Sequence, residues 1–166
     1  MPDWSMLAPQ QGTLADGAHW LPVRVFFEDT DAGGIVYHAN YLKFMERARS
    51  DFARLIGIDQ NAMMEGDDPL GFVVKRIDID YARPARLDDA LVVETRLKVL
   101  KGASMESVQI VRRGDEIMTQ ALVRIACLDR NGRARRFPDA VRHAFAPFEI
   151  QERPDSKGSQ PHGNAK

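Results

Sequence analysis

An α+β domain, in which an antiparallel sheet of five or six strands curls around one long central helix, is the fold the sequence predicts. Three observations predict it. One segment, residues 40–56, repeats its apolar positions at helical spacing. A series of segments with strand-like alternation follows it without another long helical pattern between them. The links between those segments are only a few residues long, whereas a parallel crossover needs a dozen or more, so neighbouring strands must be antiparallel.

The elements follow in order. Residues 21–28 alternate, with Val23, Val25 and Phe27 on one face and Arg24, Phe26 and Glu28 on the other, and read as a strand. A turn-prone stretch, residues 29–34, comes next. Over 40–56 the apolar set Tyr41, Met45, Ala48, Phe52, Leu55 and Ile56 is interleaved with Lys43, Glu46, Arg47, Arg49, Asp51 and Arg54, the signature of an amphipathic helix. Asn40 is the expected N-cap, and Gly57 stands where a left-handed stop belongs. After a loop over 59–70, strands are expected at 71–81, 88–100, 103–113 and 116–128, with a short one at 133–137. Leu91, Val93, Leu97 and Val99 against Glu94, Arg96 and Lys98 require one buried and one wet face. One helix and one amphipathic sheet then have a single economical arrangement, the helix across the apolar face. An exposed edge strand is left over, and pairing with a second copy would cover it, giving a homodimer or a dimer-of-dimers tetramer.

Composition bounds the rest. With 166 residues, 44% apolar and 28% charged, the chain has the make-up of one soluble globular domain, expected over 21–148, with mobile segments at 1–20 and 149–166. A formal charge of −1 offers no global attraction to nucleic acid, and none is expected as a partner. The single cysteine, Cys127, excludes an intrachain disulfide and a cysteine-based metal cluster; no metal and no cofactor are expected. No run approaches the ~18 consecutive apolar residues of a membrane span, and the first twenty residues lack a basic, apolar leader pattern, so the cytoplasm is the expected compartment.

Chemistry concentrates in Glu28-Asp29-Thr30-Asp31-Ala32-Gly33-Gly34-Ile35-Val36-Tyr37-His38-Ala39-Asn40-Tyr41, the connection from first strand to helix. Gly33 and Gly34 permit positive φ or close approach of a ligand, and the helix start offers unpaired N–H groups at the positive end of the dipole. Such donors, aimed at a carbonyl oxygen that becomes negative, are worth about 3–4 kcal/mol each in other enzymes. Asp31 can attack that carbonyl or activate a water. Taken alone, an Asp in a Gly-rich loop is usually a turn former bonded to its own backbone. His38 is a candidate side-chain catalyst as well as a packing residue, while Asp29 and Glu28 read as turn-stabilising or solvated.

This string, with Phe44-Met45-Glu46-Arg47-Ala48-Arg49, resembles the signature of the YbgC-like, Tol-Pal-associated acyl-CoA thioesterases, within the 4-hydroxybenzoyl-CoA thioesterase group of the hotdog superfamily. The resemblance continues through Phe72-Val73-Val74-Lys75 and Tyr81-Ala82-Arg83-Pro84-Ala85-Arg86-Leu87-Asp88-Asp89. It implies a hotdog fold and hydrolysis of thioesters of coenzyme A or acyl carrier protein. It further implies that Asp31 is the catalytic carboxylate, that Gly34 lets substrate approach, and that the His38 backbone N–H faces the thioester oxygen. His38 departs from the hydroxybenzoyl branch, where a tyrosine is expected, and agrees with the YbgC-like branch. The coenzyme would lie near the hairpin at Lys101-Gly102-Ala103, with Lys98, Lys101 and Ser104 as its contacts; Tyr41, Met45, Met63, Met64 and Phe72 would shape the acyl tunnel.

Three rivals compete with hydrolysis. A haloacid-dehalogenase-type phosphatase would use Asp29-Thr30-Asp31 as its nucleophile loop, but needs a parallel sheet with alternating helices. A hotdog dehydratase would use His38 with a carboxylate. A non-catalytic acyl-thioester-binding or envelope-complex module would keep the fold without turnover.

Overall fold

The structure, a computed structural model, describes residues 11–150. Six strands form one sheet: β1 (Thr13–Ala15), β2 (Ala18–Arg24), β3 (Leu70–Tyr81), β4 (Ala90–Leu100), β5 (Ser104–Arg113) and β6 (Glu116–Asp129). Helix α1 (His38–Leu55) follows β2, the short α2 (Gln60–Met64) precedes β3, and α3 (Asp139–Phe145) follows β6. The strand order is β1-β2-β4-β5-β6-β3, with every pair antiparallel. This confirms the expected hotdog arrangement and is incompatible with the parallel sheet that the phosphatase alternative requires.

Helix α1 lies across the sheet because its buried stripe and the sheet's buried rows are each incomplete alone. Tyr41, Phe44, Met45, Ala48 and Phe52 are buried on the helix; Leu91, Val93 and Leu97 of β4, Met105 and Val111 of β5, and Ala121, Val123 and Ile125 of β6 are buried beneath them. The helix stops where the sequence places its stop. Gly57 (φ +84°) donates to Arg54 O at 3.0 Å and Ile58 donates to Ala53 O at 2.9 Å, the paired bonds of a Schellman motif, with Ala53 and Ile58 both buried.

Five sequence expectations need correction. The first strand begins at Ala18 and ends at Arg24, and Phe27 belongs to a 3-10 turn (Phe27–Asp29) with 81% of its surface exposed. The chain leaves the sheet there because the Asp29 carboxylate takes the Phe26 N–H at 2.9 Å and closes the turn. Residues 13–20, expected outside the folded unit, form a hairpin through Asp16 (φ +52°) and Gly17 (φ +67°), an Asp-Gly turn of the kind that favours hairpins. Helix α1 starts at His38 with Tyr37 as its N-cap, so Asn40 is not the cap: it is buried in the first turn and its side-chain amide donates to Asp29 O at 2.9 Å. The loop over 59–70 contains α2, capped by the Asp59 carboxylate on the Ala62 N–H. Residues 133–137 make only one bridge, Leu128 to Ala134, and lead into α3, which the sequence reading lacked. The segments 1–10 and 151–166, expected to be mobile, lie outside the described residues.

A buried polar tie joins β2 to α1. His19, fully buried and stacked on Phe52, shares Asp51 Oδ2 at 2.9 Å with the Gly12 N–H at 2.8 Å, while Arg54 donates to Oδ1 at 3.0 Å. Gly12 admits no larger residue: a Cβ there would stand 2.4 Å from His19 Nε2. Burial pushes the His19 pKa below its ordinary 6.5, outweighing the upward pull of Asp51. The unfolded chain therefore takes up a proton on His19 at higher pH than the folded chain does, and stability is present above the ordinary histidine range and lost as pH falls through it.

Two outcomes are expected. Urea denaturation as a function of pH should show stability falling below about pH 6.5, and His19→Gln, which keeps a donor for Asp51, should flatten that dependence. Phe44→Ala, at a fully buried site, should cost about 3–5 kcal/mol in the same measurement.

Candidate active site

The connection between β2 and α1 is a compact, self-bonded loop. Thr30 and Val36 form an isolated antiparallel bridge, Asp31 N–H donates to Ile35 O at 2.9 Å, and Gly34 N–H donates to Asp31 O at 3.0 Å. Gly34 has φ +72°, which glycine adopts without strain, and nothing lies within 4 Å of where its Cβ would be. Its need for glycine is thus conformational in the free chain, and its outer face is open.

The loop is fastened to the helix and to the segment after β3. The Asp29 carbonyl receives both the Tyr37 N–H at 2.9 Å and the Asn40 amide, and Val36 N–H reaches Ala85 O at 2.8 Å. Tyr41, 3% exposed, completes the clamp by accepting the Ala85 N–H on its hydroxyl at 2.9 Å, and burial raises its phenol pKa. Asp29 is accordingly a buried structural carboxylate, as its turn-stabilising reading anticipated, and Glu28 is exposed.

These fastenings bring Asp31, His38, Tyr41, Tyr81 and Arg83 to the wall of one solvent-open cleft. Asp31 is exposed there, and Oδ1 accepts the Gly33 N–H at 2.8 Å. It is therefore the turn former that an isolated Asp suggests, yet its second oxygen makes no hydrogen bond among the described residues. The first-turn N–H groups of His38 and Ala39 likewise meet no acceptor among the described residues. The His38 ring is exposed, 4.4 Å from the Tyr37 ring and edge-on to Tyr81 at 6.3 Å, and the Tyr81 hydroxyl donates to His38 O at 3.1 Å.

The remaining candidates stand elsewhere within one chain. Lys98 is the extra residue of a β-bulge between Leu97 and Val99, exposed at the far end of β4. Lys101 lies in the β4–β5 turn, its N–H on Ser104 O at 2.8 Å, and Arg136 approaches that turn at Gly102. Phe72 is near the start of β3 and packs on Phe137 at 5.7 Å, whereas Tyr81 is at the strand's other end. Nine residues of extended strand separate Phe72 from Tyr81, about 30 Å. Asp31, His38, Gly34 and Tyr41 are thus brought together; Phe72, Lys98, Lys101 and Ser104 form a second group at the opposite end of the sheet.

One feature escaped the sequence reading. Beneath the C-terminal half of α1 lies a small, partly open cavity whose lining includes Phe72, Leu97 and Met105 but also Arg49, Thr95 and Ser107. Its signal was visible in β5, where Ser107 and Gln109 occupy buried positions between Met105 and Val111 that alternation assigns to apolar residues. Tyr81 and Arg83, part of the Tyr81–Asp89 motif in the sequence, also line the Asp31 cleft.

Known proteins share this architecture. Residues 25–145 match the Thioesterase-like superfamily. The acyl-CoA thioesterase YbgC of Haemophilus influenzae is 43% identical over 134 residues, covering 80% of this chain and 97% of its own. The solved structure of a probable thioesterase from Bartonella henselae is 38% identical with a TM-score of 0.70, covering 73% of this chain and 99% of its own. A Thermus thermophilus thioesterase, solved in complex with coenzyme A and zinc, is 30% identical with a TM-score of 0.67 over 81% of this chain and 95% of its own. The fold, the loop that opens onto the helix start and these likenesses agree: the chain belongs to the thioesterase-like superfamily and, within it, to the YbgC-like hotdog thioesterases.

Proposed function

We propose that the chain hydrolyses acyl-CoA thioesters in the cleft at the start of α1. The observation that carries this reading is the convergence, in one cleft, of a carboxylate oxygen and helix-start N–H groups that meet no partner among the described residues. The thioester oxygen would sit on the N–H groups of His38 and Ala39, where the charge it acquires is stabilised by fixed donors and the helix dipole. Asp31 would supply the carboxylate, by attack on the carbonyl carbon or by taking a proton from water. Water completes both routes, adding to the thioester carbonyl directly or to the acyl-aspartyl anhydride that Asp31 forms; the acyl–sulfur bond breaks, the thiolate leaves and takes up a proton, and the acyl group departs as the free acid. Tyr81 orients the helix start through its bond to His38 O, and the His38 imidazole stands beside the same space.

The second group of candidates enters through a homodimer. Strand β3 is a twelve-residue edge with Val73 and Val74 exposed at 43% and 39%. Antiparallel pairing of this edge with its copy would set the partner's start of β3 beside this chain's Tyr81. Val73 and Ser104 lie in one row, each opposite Ala126, so the coenzyme-binding candidates would follow two strand spacings further, about 10 Å on. Lys98 and Lys101 with Arg136 nearby would then hold the coenzyme's phosphates, Ser104 would add a hydroxyl, and Phe72 would line the acyl path. A tetramer would pair two such dimers. No helix of the described residues is long and apolar enough to cross a membrane. The buried, lone Cys127 fits a reducing compartment, and the cytoplasm is the proposed location. Acyl carrier protein is the alternative carrier, and a non-catalytic acyl-binding or Tol-Pal-associated envelope module is the alternative function.

Asp31→Asn decides between catalysis and binding. Asparagine retains the oxygen that receives the Gly33 N–H, so the loop and the thermal midpoint should be preserved, while thiol release from acyl-CoA should fall about 10²–10⁴-fold. Undiminished turnover would refute the role of Asp31, and no turnover in the wild type would favour the module. The doubly charged edge variant Val73→Lys/Val74→Lys should shift the light-scattering mass from dimer to monomer and abolish turnover together with it.

A further inference from the structure

The cavity beneath the C-terminal half of α1 is lined by apolar side chains such as Leu97 and Met105 and by polar ones that include Arg49, Ser50, Gln60 and Thr95, and Gln109 beside it pairs with Arg49 and Thr95. Gln109, fully buried, donates to Met45 O at 3.0 Å and to Thr95 Oγ1 at 2.9 Å, and its carbonyl oxygen receives Arg49 at 2.7 Å. The Arg49 guanidinium is also paired with Glu46 at the cavity's edge. Ser107 is different. It lines the cavity, is 5% exposed, and its hydroxyl has no hydrogen-bond partner among the described residues.

A dry hydroxyl without a partner disfavours the folded chain, and an apolar residue at that position would match Met105 and Val111 on the same face. Thr95 Oγ1 stands on the neighbouring strand, one row away: Thr95 is opposite Gln109 and Leu97 opposite Ser107. A ligand oxygen placed here would meet the Ser107 hydroxyl beside Leu97 and Met105. Such a site favours a neutral oxygen over a carboxylate, because the one cation in its lining is already committed to Glu46 and Gln109.

We propose that this cavity receives the distal part of the acyl group, and that Ser107 is a specificity residue selecting acyl groups with a hydroxyl or keto oxygen several carbons from the thioester. This rests on the hydrolase reading and on the paired β3 edges, which bring Phe72 and Val74 at the cavity wall beside the partner's cleft. The cavity and the Asp31 cleft share no lining residue within one chain.

The test uses the full-length dimer and matched acyl-CoA pairs of equal chain length, one plain and one hydroxylated at mid-chain, with thiol release as the readout. The wild type should favour the hydroxylated member in kcat/KM. Ser107→Ala should lower kcat/KM for that member about tenfold, the size of one neutral hydrogen bond, and leave the plain member within about twofold. Its thermal midpoint should equal or exceed that of the wild type, because no internal bond is lost. Ser107→Cys, close in volume but a weak donor, should fall between the two. Equal cleavage of both members by the wild type, an unchanged ratio in Ser107→Ala, or a lowered midpoint in that variant would each overturn the inference alone. A wild type that cleaves neither member of any pair would overturn the hydrolase reading as well, and a monomeric wild type would overturn the route into the cavity.

Discussion

The structure depends on the enclosure of one helix by one curved sheet. Phe44, Met45 and Ala48 are fully buried on α1, as are Val93 and Val123 on the strands beneath, so neither layer has a soluble apolar face without the other. This burial fixes the helix axis against the sheet and makes the position of the helix start a property of the whole core. A free helix terminus offers donors to water. Here the terminus is held at the edge of a packed body, where a ligand can exchange for that water at little cost in reorganisation.

What turns a helix end into a candidate site is the clamp around Asp29. Its carboxylate closes the preceding turn, and its carbonyl receives the Tyr37 backbone and the Asn40 side chain. Tyr41 fastens the same region to Ala85. Many polar groups of the loop are therefore spent in pairs, whereas one Asp31 oxygen and the N–H groups of His38 and Ala39 meet no partner among the described residues. Asp31 shows the economy of this arrangement, since one carboxylate oxygen shapes the Gly33 turn while the other makes no hydrogen bond among the described residues. The turn-forming and catalytic readings of Asp31 are compatible because they use different atoms.

The two groups of candidate residues, one at each end of the sheet, give the β3 edge its meaning. An edge strand with exposed valines normally carries charges or a bulge to prevent pairing, and β3 does have Lys75 at a register shift and an Arg76–Asp78 ion pair. Val73 nevertheless lies in the row that leads to Ser104, with Val74 beside it. A twofold partner would bring the ends together without any change within the chain. On this view the cavity below Arg49 is the continuation of the partner's cleft.

Much of this was legible in the sequence. The order of helical and alternating periods, with links too short for crossovers, determined a helix-and-antiparallel-sheet fold, and the Gly57 stop followed from local backbone chemistry alone. The loop from Glu28 to Tyr41 stood out as the candidate site because so many chemically capable residues adjoin a helix start. The hairpin at Asp16-Gly17 was not read from the sequence because three-residue β1 is too short to show a period. Asn40 was misread as a cap because it has the right side chain one turn too late; only its partner Asp29, eleven residues away, explains its burial. Helix α3 is short, and its buried Val141 and Phe145 acquire a helical pattern only against the core. The unpaired Ser107, the separation of Phe72 from Asp31 and the tie between His19 and Asp51 were decided by tertiary structure. Each depends on which side chains meet across strands and helix, and that is set by packing between distant segments rather than by any local period.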